Sequence, residues 1–192
     1  VNENDCLSVV DKMFTKGVSS VLDYSVEGKE EEAQFDAALA MTLKTIEFAK
    51  ERQAIPFAVF KPTGLGRFDL YEKVGAKATL TSSEKEEWDR VVDRFDLVCK
   101  TAQYKDVSLL IDAEESWMQD AADDLVTQMM QKYNKEKAVV FNTLQMYRWD
   151  RLDYLKQLHE KAKQEGFFIG MKIVRGAYME KENARAIEKG YP

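Results

Sequence analysis

The sequence predicts an α/β fold on a parallel sheet, a (β/α)8 TIM-type barrel with about five βα units present in the chain. Three observations carry this expectation. Strand-like and helix-like segments alternate strictly, which calls for parallel strands joined by right-handed crossovers. Polar residues stand at the C-terminal ends of the strand-like segments, at Asp23, Lys61, Asp112, Gln145 and Arg175, where a barrel keeps its chemistry. The turn after the first strand, Tyr24 to Lys29, holds the single glycine Gly28, whereas an open nucleotide-binding sheet carries a glycine-rich turn there.

The segment 17–24 is short, β-branched and preceded by Gly17, and reads as the first strand. A charged stretch follows in which Phe35, Leu39, Leu43, Ile46 and Ala49 recur at steps of three or four, the spacing of one helix face. Pro56 closes that helix, and Phe57 to Phe60 forms a second strand running into Lys61-Pro62-Thr63-Gly64. After a long excursion, Ser83 and Glu86 suggest a capping box ahead of a helix carrying Trp88, Val91, Phe95, Val98 and Ala102. Val107 to Ile111 is the third strand, followed by a helix burying Trp117, Ala121, Leu125 and Met129. A fourth strand starts at 138–141 and reaches Gln145 and Tyr147, and the helix after it carries Leu152, Leu155 and Ala162 and ends at Gly166. The fifth strand is read over 167–174, with a last helix beginning near Glu180.

A complete barrel of this type takes about 250 residues and eight strands. Residues 1–192 therefore read as the N-terminal portion of a single barrel domain, incomplete at the C-terminus. The composition, with 45% hydrophobic and 32% charged residues of interspersed sign, is globular. A net charge of −6, with no basic stripe, argues against nucleic acid as a partner. Cys6 and Cys99 are too few and too isolated for a disulfide framework or a zinc knuckle, and Cys99 reads as a small buried hydrophobe. No apolar run approaches the length of about 20 residues that a membrane span needs. The chain begins with Val1 rather than Met, so the lack of a visible targeting segment carries no weight.

Several residues could carry chemistry. Asp112 follows a buried strand directly, and a carboxylate there costs several kcal/mol unless it is paired. Lys61 ends the neighbouring strand at the same level, so a Lys61–Asp112 pair at the mouth is expected. Glu114 and Glu115 suit a metal site or an acid/base pair, or else a helix start, where negative charge complements the dipole. No histidine is near them, the one histidine, His159, belongs on an outer helix, and no metal is expected. Lysines at barrel strand ends also fit a Schiff-base aldolase with Lys61 or Lys172 as nucleophile. Pro62 and a paired aspartate would hold Lys61 charged, but the residues alone leave that class open. Lys172 and Arg175 place two cations at one strand end beside the small residues Gly176 and Ala177, an arrangement suited to a flat, electron-rich ring or a phosphate, with Tyr178 as an aromatic wall.

The run Lys172-Ile173-Val174-Arg175-Gly176-Ala177-Tyr178 resembles the signature of the proline dehydrogenase family. Four further segments are similar to the same family in the same order: 22–27, 60–67, 110–114 and 141–147. Each lies on a strand or its C-terminal end. The resemblance implies a flavin enzyme with FAD at the C-terminal face of a distorted barrel. That enzyme would oxidise L-proline to Δ1-pyrroline-5-carboxylate by hydride transfer and pass electrons to a membrane quinone. The alternatives are the same chemistry on hydroxyproline, or a non-catalytic barrel fragment serving as an interaction module.

In the family's pattern Gln145, Lys172, Val174, Arg175, Gly176 and Ala177 match flavin-contacting positions. Lys172 stands where many relatives have arginine, and so keeps a donor but loses the planar fork. Ile173 and Tyr178 match residues that wall the substrate ring, and Lys61 and Asp112 match polar residues of the proline pocket, with Lys61, Asp112 and Tyr178 as the catalytic group. Asp23 and Glu27 match more loosely. The family's carboxylate-binding arginine pair, on its last barrel helix, falls outside these residues. The resemblance also implies a cytoplasmic location in a bacterium, with or without membrane association, or a mitochondrial one in a eukaryote.

Overall fold

A computed structural model describes residues 5–23 and 28–191. Five strands, β1 (Val21–Leu22), β2 (Phe57–Phe60), β3 (Ser108–Ile111), β4 (Val140–Gln145) and β5 (Met171–Val174), form one parallel sheet in the order β1-β2-β3-β4-β5. Spatial order follows chain order with no reversal. A doubly wound sheet would reverse at a switch point, so the winding is that of a barrel.

Helices separate the strands: α1 (Leu7–Phe14), α2 (Glu32–Lys50), α3 (Phe68–Gly75), α4 (Ser82–Lys105), α5 (Ser116–Tyr133), α6 (Arg151–Glu165) and α7 (Met179–Lys189). Their apolar faces lie on the outward side of the sheet. Phe60 of β2 meets Phe95 of α4 edge-to-face at 5.1 Å, and both rings are buried. A fully buried side chain of this size contributes about 1.5–3 kcal/mol relative to exposure. Met118, Ala122, Leu125 and Val126 of α5 extend the same core, and Cys99 is buried within it as expected. Among the described residues no helix is long and apolar enough to cross a membrane.

Several boundaries differ from those expected. The first strand narrows to Val21–Leu22, because Gly17 turns the chain at φ +74° and the preceding residues pack on no neighbour strand. The excursion after β2 contains α3, which packs on α5. A short helix of eight residues shows too few turns for its periodicity to stand out. The box that caps α4 is Thr81 with Glu84 rather than Ser83 with Glu86: the Thr81 side chain accepts from the Glu84 N–H at 3.2 Å, and the Glu84 carboxylate accepts from the Thr81 N–H at 2.8 Å. In α6 the buried apolar residues are Leu158 and Ala162, while Leu152 is exposed. Gly166 ends that helix in the left-handed conformation, φ +69°, as its position suggests. His159 is exposed on the outer face.

Asn134, fully buried after α5, fixes where the next two strands begin. Its side-chain oxygen accepts from the N–H groups of Val139 (3.0 Å) and Val140 (2.9 Å). Its amide nitrogen donates to the carbonyls of Val140 and Phe168, both at 2.9 Å. Backbone groups that a short strand leaves unpaired are satisfied by one side chain.

Candidate active site

Every strand of a parallel sheet points its C-terminal end the same way, so strand-end residues converge on one mouth. The pairing Phe60↔Ile111 places Lys61 level with Asp112, and the Asp112 N–H donates to the Phe60 carbonyl at 3.0 Å. The pairing Leu110↔Phe141, continued by two residues, brings Asp112 level with Thr143, and Thr143 pairs with Lys172. One row thus crosses four strands: Lys61, Asp112, Thr143, Lys172. Thr143 is short and directs its hydroxyl to the Ile111 carbonyl (2.8 Å), which leaves room above it.

Lys61 Nζ lies 3.2 Å from Asp112 Oδ2, the pair expected from the sequence. Across Thr143, Lys172 Nζ donates to the other oxygen, Oδ1. Asp112 is therefore clasped by two ammonium groups. The three side chains are 14%, 18% and 29% exposed for Lys61, Asp112 and Lys172, sheltered enough to interact strongly yet reachable from the mouth.

Gln145 ends β4, level with Val174, and is buried. Its amide nitrogen donates to the Ala113 carbonyl at 3.3 Å, while its oxygen, also buried, has no hydrogen-bond partner among the described residues. A buried acceptor without a donor costs about 1–3 kcal/mol. Such an atom fits a ligand that brings an N–H.

Beyond β5 the chain turns at Gly176, φ +124°, a conformation open to glycine and strained for other residues. A Cβ at this position would lie 1.7 Å from Cδ1 of Tyr147. Tyr147 N–H donates to the Arg175 carbonyl (3.0 Å), so ring and backbone of Tyr147 together hold the turn. Burial, then the nearby Glu182 carboxylate, pushes the Tyr147 hydroxyl up to about 12, so it stays protonated at neutral pH. Arg175 and Ala177 are exposed, and Tyr178 is half-buried at the N-cap of α7 with the Lys181 ammonium 5.2 Å over its ring. Ile173 is 68% exposed, and strand alternation turns it away from the face shared by Lys172 and Val174. The structure does not bring Ile173 to the Lys61–Asp112–Lys172 cluster. Asp23 follows β1 and is exposed, and Glu27 lies outside the described residues.

The two glutamates after Asp112 divide their work. Glu115 is the N-cap residue of α5 and pairs with Lys181. Glu114 is 2% exposed and accepts from Thr63, from its N–H at 2.9 Å and its hydroxyl at 2.6 Å. Glu114 directly precedes the α5 N-cap, the helix-start position expected, and is in addition buried against Thr63. Residue spacing gives no hint of the Thr63 contact, because it joins two different loops.

Residues 6–192 match the proline dehydrogenase family profile. The chain belongs to the proline dehydrogenase family. It is 39% identical over 166 residues to the carbapenem antibiotics biosynthesis protein CarD of Pectobacterium carotovorum, covering 86% of this chain and 44% of CarD. It is 40% identical over 109 residues to the mitochondrial proline dehydrogenase 1 of Drosophila melanogaster, covering 57% of this chain and 16% of the fly protein. The chain thus spans less than half the length of these relatives. In structure it superposes on Proline Utilization A from Corynebacterium freiburgense with a TM-score of 0.73 at 16% identity, covering 96% of this chain and 18% of that one. The same score is reached against a Bradyrhizobium japonicum Proline Utilization A, covering 91% of this chain and 18% of that one at 17% identity. These likenesses establish the barrel fold.

Proposed function

We propose that this chain forms part of an FAD-dependent oxidoreductase that converts L-proline to Δ1-pyrroline-5-carboxylate, with electrons passing onward to a membrane quinone. The observation that carries the reading is the Lys61–Asp112–Lys172 row at the C-terminal strand ends of a proline dehydrogenase barrel. The residues fit a flavin. The unpartnered Gln145 oxygen suits a ring N–H, and Lys172 and Arg175 set positive charge beside an electron-rich ring. Val174 and Ala177 would add backbone contacts. Bound there, FAD would supply the two-electron acceptor for a hydride from proline C5.

The protein's own part is binding, orientation and control of charge. Oxidation at C5 requires a neutral ring nitrogen. The Lys61 and Lys172 ammonium groups disfavour a protonated amine close by, while the Asp112 carboxylate offers an acceptor for the amine N–H. Tyr178 would wall the ring and restrict its poses, which places C5–H in reach. Ile173 would join that wall only after a rearrangement of the β5 edge.

The test is to purify the full-length protein and record its visible spectrum before and after anaerobic L-proline. A flavin spectrum that L-proline bleaches is the expected result, and a colourless protein or an unbleached flavin refutes the proposal. Adding 4-hydroxyproline to a second sample reports ring specificity. The identity with CarD favours a second reading, in which the same oxidation serves a biosynthetic route. Deleting the gene separates the two, since growth on proline as nitrogen source fails under the catabolic reading and persists under the biosynthetic one.

A further inference from the structure

The pair Thr63–Glu114 lies directly behind the two residues at the centre of the candidate site, each member two positions beyond one of them. Lys61 leads into a 3-10 turn, Pro62–Gly64, whose residues are all buried. That turn is held from two sides. Tyr71, fully buried, donates its hydroxyl to the Pro62 carbonyl at 2.8 Å. From the other side both oxygens of Glu114 receive the Thr63 N–H (2.9 Å) and hydroxyl (2.6 Å). Glu114 is itself fixed, since its N–H donates to Gln119 Oε1 at 2.8 Å, and Gln119 Nε2 donates to Asp123 at 2.8 Å. Asp123 accepts in turn from Arg151 (2.6 Å) and from Asn142 of β4 (2.9 Å). The chain of bonds runs from the loop after β2, through the loop after β3, into the buried interface of α5, β4 and α6.

A carboxylate 2% exposed is expensive to bury and is retained only where charge-assisted hydrogen bonds offset the cost. Here those bonds join two mouth loops that the sheet ladder leaves behind at Asp112. Lysine and aspartate side chains have several rotamers each, so their spacing depends on how firmly their backbones are held. We infer that Glu114, acting through Thr63, is a positioning residue that sets the separation and aim of Lys61 and Asp112 for the substrate. This inference rests on the proposed assignment of those two residues to the proline pocket.

The experiment is a double-mutant cycle in the intact, flavin-loaded protein, with kcat/KM for L-proline, the dissociation constant of a non-oxidisable cyclic carboxylic acid, and the urea midpoint as readouts. Glu114→Gln keeps the shape but replaces one acceptor by a donor. It is expected to lower kcat/KM about tenfold, chiefly through KM, and to weaken the analogue by a similar factor, in keeping with the ~10²-fold cost of a 1 Å misplacement. Thr63→Val is expected to do the same, and Thr63→Ser, which retains the hydroxyl, to recover the parent value within about twofold. In an Asp112→Asn background the Glu114→Gln loss should shrink to about twofold or less, while its effect on the urea midpoint stays unchanged. A tenfold loss persisting in that background, or parental kcat/KM in Thr63→Val and Glu114→Gln, overturns the inference. Should Glu114→Gln fail to fold, Thr63→Val carries the same cycle. If Asp112→Asn alone leaves kcat/KM unchanged, the pocket assignment is what has failed, and the inference falls with it. If Asp112→Asn lowers kcat/KM but the clamp variants do not, the inference alone fails.

Discussion

Asp112 and Asp123 belong to one βα unit, the first at the end of β3 and the second midway along α5, and each faces positive charge. Their settings differ in kind. Asp112 is held by two lysines and keeps an 18% exposed side chain. Asp123 is 4% exposed and is held by Arg151 at 2.6 Å together with the amides of Gln119 and Asn142. An ammonium on a flexible stem is a point charge that can trade one partner for another, whereas a planar guanidinium that forks onto Asp150 through Nε and Nη2 and donates Nη1 to Asp123 fixes geometry. The lysine-held carboxylate at the mouth is thus the more adjustable of the two, and the one in the α5–α6 interface the more fixed.

The largest expected effect tests the closed side. Asp123→Ala takes one carboxylate from the buried Arg151, which keeps Asp150, and removes an acceptor of the Gln119 amide. It should destabilise the fold by about 3–5 kcal/mol, measured by urea denaturation. A loss below about 1 kcal/mol would show the network to be slack, and the contrast between the two carboxylates would disappear.

The open side should respond oppositely. Asp112→Asn, which keeps the side chain's shape and leaves both lysines in reach of the mouth, is expected to change stability by about 1 kcal/mol or less. It should lower kcat/KM for L-proline about a hundredfold, or about 2.7 kcal/mol of transition-state stabilisation. A large fall in the urea midpoint with unaltered kinetics would assign Asp112 to structure instead. Next in size is the turn that carries the flavin-matching residues. Gly176→Ala forces a side chain into φ +124° and into the Tyr147 ring, and should cost about 1–3 kcal/mol with a lowered flavin content. Combining it with Tyr147→Ala should recover the steric part and leave the backbone part, which a thermal melt of both variants would separate.

These contrasts were unequally visible in the sequence. Strand-end chemistry reads well because a parallel barrel sends every C-terminal end to one mouth, so Lys61 and Asp112 could be paired from position alone. Lys172 joining them could not, because β4 lies between β3 and β5, and the contact depends on sheet register and on Thr143 being small. Helix α2 is legible from its stripe, yet its buried face runs Phe35, Ala38, Thr42, Ile46 and Ala49, with Leu39 and Leu43 only partly buried. The choice of Thr81 over Ser83 as cap turned on a shift of two residues that either box satisfied locally. Glu114 shows how position alone stays incomplete: its place before the α5 N-cap accounts for a charge there, while its bonds to Thr63 join two loops far apart in the chain.

The smallest prediction uses acid to probe the seam between the two regions. Asp150 at the start of α6 accepts from Arg148 Nη2 at 2.7 Å and from Arg151 Nη2 at 2.5 Å. Burial alone would raise its carboxyl, but Arg151 and then Arg148 bring it down to about 2 from 3.8. A carboxylate depressed in the folded state binds fewer protons there than in the unfolded chain. Its stabilisation is fully present above the unfolded value near 3.8 and is lost as pH falls through about 2. Because the side chain is 28% exposed and solvent screens its ion pairs, the contribution is about 1 kcal/mol. Between pH 5 and pH 2 Asp150→Asn should therefore lose about 1 kcal/mol less stability than the parent, in urea titrations at each pH. Parallel curves would mean that Arg148 and Arg151 hold Asp150 no better than water does. The anchoring of α6 would then rest on Asp123 and on the buried Leu158 and Ala162, which would sharpen the division between a fixed interior and an adjustable mouth.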